Sequence, residues 1–149
     1  MKKIFVLVAL LVAIVGAAAA QWRFMDDVDP MTDYASYYAY VKSTDGQRSF
    51  VMRVTNGVFE IYVVWHEYMI VDETHTLLVR FDSLPAIEIN ANRATDGKAS
   101  FFWADTITEH IPSGPKRMIV RITERGGQQT TATFDTTGII EAALTILKK

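Results

Sequence analysis

The chain has 149 residues, with 15 lysines and arginines against 17 aspartates and glutamates, and a formal net charge of −2. This mild acidic balance argues against a nucleic-acid-binding protein, which needs concentrated basic residues. It also offers no polybasic surface for a membrane. Cysteine is absent, so disulfides and thiolate metal ligands are excluded and stability has to come from the core.

The N-terminal segment predicts export. The chain begins with a short cationic stretch, followed by an apolar run over residues 4–15 and by small residues up to Ala20. This order is typical of a secretory signal peptide, with cleavage expected before Gln21. An uncleaved membrane anchor is the alternative, but the apolar segment is barely long enough to cross about 30 Å of hydrocarbon. We therefore expect a signal peptide at 1–20 and a single β-rich domain at 21–149. We expect that domain in the periplasm or secreted, without stable membrane insertion after cleavage.

The clearest structural signal after the leader is a β-hairpin. Two apolar, alternating runs, 50–55 and 58–65, flank Asn56-Gly57. Asn-Gly is the preferred pair for a two-residue hairpin turn because both residues tolerate positive φ. By the period of two, one face of the second run carries Phe59, Ile61, Val63 and Trp65. The opposite face is nearly as apolar, which indicates a central, well-covered strand.

Further strand signals follow with turn residues between them, and together they predict a mainly β fold. The segments are 34–41, 76–82, 86–90, 99–103, 118–123 and 130–134. Residues 105–111 predict a turn or two of helix capped by Asp105. Since no linker interrupts the chain, we expect one antiparallel β-sandwich or open barrel with a short C-terminal α-helix packed on it.

The C-terminal helix follows the stretch "TFDTTGIIE". Thr136 or Thr137 is expected to cap its first amides. A helix this short does not persist alone in water, so we expect it to cover exposed core, with Leu144 buried. The alternative is an exposed docking surface for a partner. The apolar stripe at helical spacing consists of Ile140, Ala143, Leu144 and Leu147.

Several short motifs occur one after another along 21–149. They are Trp22, Met31-Thr32-Asp33, Arg80-Phe81-Asp82 and Phe134-Asp135-Thr136-Thr137-Gly138, with the hairpin between the second and the third. In this order and spacing the chain resembles the VasI/TagO-like family, exported accessory proteins associated with type VI secretion. The resemblance covers most of 21–149, although each motif alone is short. It implies a periplasmic accessory factor.

Two positions depart from the family pattern. Many members carry a cysteine just before the hairpin turn and another at the C-terminus. This chain has Val54 near the first place and ends in Leu147-Lys148-Lys149. The resemblance therefore implies a divergent member that lacks both halves of a crosslink between hairpin and final helix. Such a member fits a stand-alone or phage-encoded exported relative.

No catalytic motif stands out. His66-Glu67 begins like the helix of a zinc protease, but the second histidine four residues later is missing. Scattered histidines such as His66, His75 and His110 are more often surface or packing residues than ligands. The serines form no Gly-x-Ser-x-Gly elbow. We therefore expect no enzyme, no cofactor and no metal site. A small hydrolase with a distributed active site is the alternative.

Three nearby acidic residues raise the question of a calcium site. Asp26, Asp27 and Asp29 could hold the ion through carboxylate oxygens, but they lack the regular loop of an EF-hand. We favour a solvated acidic N-terminal segment.

Three arginines are candidates for binding. Arg53, Arg80 and Arg121 each lie mid-strand between apolar neighbours. On adjacent strands they would form a row of guanidinium groups that binds an acidic partner or glycan through forked hydrogen bonds. The plainer interpretation, which we favour, is a set of cross-strand ion pairs worth under about 1 kcal/mol each. Their acidic partners would be Glu60, Asp82 and Glu124.

A tyrosine-rich segment is the second candidate surface. Tyr34, Tyr38 and Tyr40 share one face of the strand predicted over 34–41, and Tyr37 points to the other face. Exposed tyrosines anchor proteins or sugars. Half-buried packing on the sheet is the plainer explanation.

These observations predict an exported, non-catalytic binding or accessory protein of the bacterial envelope. The resemblance favours a role in type VI secretion, with an envelope or secreted protein as partner. The alternative is a periplasmic or secreted inhibitor, immunity factor or phage superinfection-exclusion factor that acts by protein–protein binding.

Overall fold

The computed structural model describes residues 21–67 and 72–149. Its strands are β1 (Arg23–Val28), β2 (Ala35–Lys42), β3 (Ser49–Thr55), β4 (Val58–Val64), β5 (Thr74–Phe81), β6 (Ile87–Arg93), β7 (Ala99–Phe102), β8 (Arg117–Thr123) and β9 (Gln129–Asp135). Its helices are α1 (Ala104–Glu109), a 3₁₀-helix (Ile111–Ser113) and α2 (Ile139–Leu147). The predicted signal peptide lies outside the described residues.

All these strands belong to one antiparallel sheet, in the order β1-β2-β3-β4-β7-β6-β5-β8-β9. The sheet curls until the end of β2 meets β9. Ser43 forms a β-bridge with Phe134, and the Thr44 amide donates to the Thr133 carbonyl at 2.9 Å. The result is a half-barrel with a short C-terminal helix, which confirms the predicted mainly β fold in its open-barrel form.

The β3–β4 hairpin has the predicted turn. Asn56 and Gly57 lie between the paired residues Thr55 and Val58. Both turn residues have positive φ, 50° and 76°, which is the requirement that makes Asn-Gly favourable here. The hairpin prediction is confirmed.

One face of the curled sheet is enclosed and forms the core. On β4, Ile61 and Val63 are completely buried, as the alternation predicts. Phe50 of β3 lies centrally, with its ring centroid 6.0 Å from Phe134 of β9 and 6.4 Å from Phe102 of β7. Strands that are distant in the sheet order therefore meet through their side chains inside the half-barrel.

The sequence did not predict β1. This strand pairs with β2 from Arg23 opposite Tyr40 to Val28 opposite Ala35. It is an edge strand whose residues are all exposed. This exposure agrees with the solvated acidic segment that we expected, but the strand itself was not predicted. The other strand predictions each overlap a strand of the structure.

The apolar stripe of α2 differs from the predicted one. The buried residues are Ile139, Ala142, Ala143 and Ile146, whereas Leu144 is 47% and Leu147 51% exposed. The expectation that Leu144 is buried is therefore wrong. Both stripes have helical spacing and share Ala143, and the observed one lies one residue earlier in the chain. The helix therefore buries Ala142, which is smaller than Leu144 and takes less space against the sheet.

Both capping predictions are also wrong. The N-cap residue of α2 is Gly138, with φ 81° and no side-chain cap. Thr136 is fully buried and donates its hydroxyl to the Pro115 carbonyl at 2.6 Å. The Thr137 carbonyl accepts the indole N–H of Trp22 at 2.9 Å. The threonines before α2 thus make tertiary contacts.

In α1 the N-cap is Trp103, and Asp105 lies in the first turn. The predicted cap at Asp105 is therefore not observed.

The two sides of α2 give a direct stability prediction. Ile146 is 3% exposed, so Ile146→Ala should lower the free energy of unfolding by about 2–5 kcal/mol through lost burial and a cavity. Leu144→Ala is the matched control, and it should change that free energy by less than about 1 kcal/mol. Denaturant unfolding measures both. Equal losses for the two variants would contradict the observed orientation of α2.

Candidate functional site

The three candidate arginines do not form the row that adjacent strands would give. Arg80 on β5 and Arg121 on β8 share the outer face of neighbouring strands, since Leu78 pairs with Arg121 and Arg80 with Ile119. Arg53 lies on β3, and β4, β7 and β6 separate it from β5. The structure therefore brings two of the three arginines to one region and leaves the third elsewhere.

Arg80 makes a different contact from the expected ion pair. Its Nε–H donates to the Leu84 carbonyl at 2.9 Å. Asp82, the expected partner, accepts the backbone amides of Lys116 and Arg117 at 2.9 and 3.0 Å.

Arg121 contacts a hydroxyl group in place of its expected acidic partner. Its Nε–H donates to Thr131 Oγ1 at 3.0 Å, and Glu124 Oε1 lies 3.5 Å from the Thr130 hydroxyl. These contacts position exposed side chains locally, so the ion-pair expectation is not met for Arg80 or Arg121.

Arg53 does form its expected pair with Glu60. Two guanidinium N–H groups donate to Glu60 Oε2, the Nε–H at 3.0 Å. Burial opposes the charge of Arg53, but the hydrogen bond and negative charge of Glu60 outweigh it and raise the pKa of Arg53. The guanidinium carbon lies 5.5 Å from the ring centroids of both Tyr62 and Phe101, within cation–π range.

Aromatic side chains surround this pair on the outer face. Tyr62 of β4 and Phe101 of β7 stack with centroids 4.5 Å apart, and burial raises the pKa of Tyr62 to about 12. Tyr38 and Tyr40 of β2 pack on the same cluster. We call this surface the outer-face patch; it comprises Tyr38, Tyr40, Val51, Arg53, Glu60, Tyr62 and Phe101.

The tyrosine faces follow the predicted alternation. Tyr37 packs against the enclosed core, while Tyr38 and Tyr40 belong to the outer cluster. Tyr34 precedes β2 and is 54% exposed. Two of the three predicted tyrosines therefore belong to the outer-face patch, and Tyr38 lies directly opposite Arg53 across β2 and β3.

A groove adjoins the patch where β4, β6 and β7 meet the start of α1. Its volume is about 520 Å³, and its lining includes Glu60, Asn92, Phe101, Trp103 and Asp105. We call it the Trp103 groove. Sequence reasoning missed it, because Asn92 and Trp103 are distant from Glu60 in the chain. The only sequence signal was the apolar character of the second face of β4.

His75 lies beside a buried serine. Its Nε2 is 2.8 Å from Ser100 Oγ, which also accepts the Trp65 indole N–H at 2.9 Å. A serine beside a histidine can act as a nucleophile and base, but Ser100 is completely buried, so in this conformation the pair is a core contact. Burial lowers the pKa of His75, against a smaller opposing effect of Asp72.

The other histidines have local contacts. His66 Nε2 is 3.3 Å from Ser49 Oγ, and burial lowers the pKa of His66. The His110 ring stacks on Phe81 with centroids 5.2 Å apart. Within 21–67 and 72–149, no three His, Cys, Asp or Glu side chains group as metal ligands.

The three acidic N-terminal residues point in different directions. Asp26 pairs with Tyr37 and Asp27 with Ser36, so consecutive strand positions turn the two carboxylates to opposite faces. Asp26 lies 3.7 Å from the Lys149 amine, and Asp29 accepts the Met31 amide at 2.8 Å. The three carboxylates do not share one binding position.

Comparisons with known proteins give no match. No protein-family model, curated protein or solved structure matches the chain. The resemblance to the VasI/TagO-like family therefore stays a prediction. In the part of the chain that the structure describes, no helix combines the length and apolarity needed to cross a membrane.

His75 predicts a pH dependence of stability. Because its pKa is lower in the folded protein than the ordinary value of 6.5, the unfolded chain binds the proton more readily. Stability should therefore fall as the pH drops through about 6.5 towards the lowered pKa. His75→Gln keeps a polar partner for Ser100 and should reduce this slope in urea unfolding between about pH 7 and pH 5. Parallel curves for both proteins would contradict the prediction.

Proposed function

We propose that the chain is an exported, non-catalytic binding protein of the bacterial envelope that contacts a protein partner through the outer-face patch. The observation that supports this most is the assembly of three tyrosines and a phenylalanine around the Arg53–Glu60 pair. They lie on the side of the sheet that faces away from the core. Export is expected from the predicted signal peptide at 1–20.

The chemistry of the patch suits a protein interface. Tyrosine and arginine are enriched among the residues that dominate binding energy. Packing against Phe101 and Tyr62 holds Arg53, so less side-chain entropy is lost on association. Because Glu60 already balances the charge of Arg53, a partner can cover the pair without leaving an unpaired buried charge.

The resemblance to the VasI/TagO-like family favours a role for this binding in type VI secretion, as an accessory factor. A second candidate role is a secreted or periplasmic inhibitor, immunity factor or superinfection-exclusion factor. The absence of cysteine favours this stand-alone role, because the family's crosslink between hairpin and final helix is missing. Both roles use the same surface and differ in the partner.

The patch can be tested by capture from envelope extract, with the captured proteins identified by mass spectrometry. Tyr38→Ala and Tyr40→Ala should each lose a protein that the wild type captures, because each removes an aromatic anchor. Leu84→Ala is the control, since Leu84 is 61% exposed and lies outside the patch. It should capture as the wild type does.

The identity of the lost protein distinguishes the two roles. A component of the secretion machine supports the accessory factor, whereas an envelope enzyme or phage protein supports the inhibitor. If Tyr38→Ala and Tyr40→Ala, folded by circular dichroism, capture the same proteins as the wild type, the outer-face patch is not the binding surface.

A further inference from the structure

We infer that the Trp103 groove is a second binding site and that its ligand is a neutral saccharide. The inference goes beyond the proposed protein–protein contact and does not depend on it. Its starting point is the exposed Trp103 at the junction of β7 and α1. A tryptophan that is 40% exposed and lines a concave surface offers an apolar ring face to a ligand.

The indole of Trp103 is held in place. Its N–H donates to Asn92 Oδ1 at 3.1 Å, which uses the polar edge of the ring and fixes its orientation. The same bond orients the Asn92 side chain, so its amide N–H₂ remains a donor at the groove. A fixed aromatic face beside an oriented amide is a preformed arrangement, as in most small-molecule sites.

Two carboxylates complete the polar lining. Glu60 is oriented by Arg53 through Oε2, and Asp105 by the Thr106 amide through Oδ1 at 2.8 Å. An ionised carboxylate accepts about four hydrogen bonds, so both side chains keep acceptor capacity. The groove thus combines fixed acceptors and a donor with an aromatic face.

The charges select among ligand classes. The carboxylates of Glu60 and Asp105 line the groove and oppose an anion, and the ion pair with Arg53 balances the charge of Glu60. A neutral ligand with hydroxyl groups meets these acceptors without bringing a charge of its own. The groove then requires hydroxyl or amide donors for the carboxylates and a flat C–H surface for the indole, and a pyranose ring has both. The groove is open to solvent and has a volume of about 520 Å³.

The test is isothermal titration calorimetry of residues 21–149, without the predicted signal peptide, against a panel of neutral oligosaccharides of glucose, N-acetylglucosamine, mannose and galactose. At least one should bind the wild type. Trp103→Ala should weaken that binding by about tenfold or more, since it removes the stacking face. Trp103→Phe should recover part of the loss. Leu84→Ala should bind as the wild type, and unfolding midpoints check that every variant is folded.

Three results would overturn the saccharide site. They are no binding by any member of the panel, equal binding by wild type and Trp103→Ala, or Trp103-dependent binding of oligolysine with no saccharide binding. The last would assign the groove to a basic peptide. Glu60 and Phe101 belong to both surfaces, so the two tests are separated at residues that belong to one surface alone: Tyr40→Ala should leave saccharide binding unchanged, and Trp103→Ala should leave protein capture unchanged.

Discussion

The contact between Phe50 and Phe134 is the interaction on which the rest of the structure depends. Five strands lie between β3 and β9 in the sheet order, yet their rings are 6.0 Å apart, because the sheet curls until its two ends approach. A single curled sheet encloses one face and leaves the other outside. The enclosed face receives α2 through Ala142 and Ala143 and forms the core. The outer face carries the outer-face patch, and the Trp103 groove adjoins it where β4, β6 and β7 meet the start of α1.

The fold could be predicted largely from local signals. Positive φ at Asn56 and Gly57 is a property of the turn itself, and the alternation on β4 needs only the period of two. The errors arose where a tertiary contact decides between equivalent local patterns. The residues of α2 form two apolar stripes with the same spacing that are offset by one residue and share Ala143, and burial of the small Ala142 in place of Leu144 distinguishes the observed stripe. The edge position of β1 explains why its exposed, acidic sequence gave no strand signal.

The site could be predicted only in part, because strand order cannot be read from alternation. Arg53 and its pair with Glu60 follow from the hairpin, whose strands are neighbours in sequence. The separation of Arg53 from Arg80 depends on β6 and β7 inserting between β4 and β5, which no local pattern reveals. The same insertion places Phe101 beside Tyr62. The Trp103 groove was missed for the same reason, since it joins residues from four elements.

The central claim is that Arg53 and Glu60 form part of a recognition surface and do not serve stability alone. Exchanging them, Arg53→Glu with Glu60→Arg, keeps an ion pair on the outer face but reverses its direction. We predict that the exchanged protein unfolds within about 1 kcal/mol of the wild type and no longer captures the partner. Capture at the wild-type level by the folded, exchanged protein would contradict the claim and reduce the pair to a structural contact.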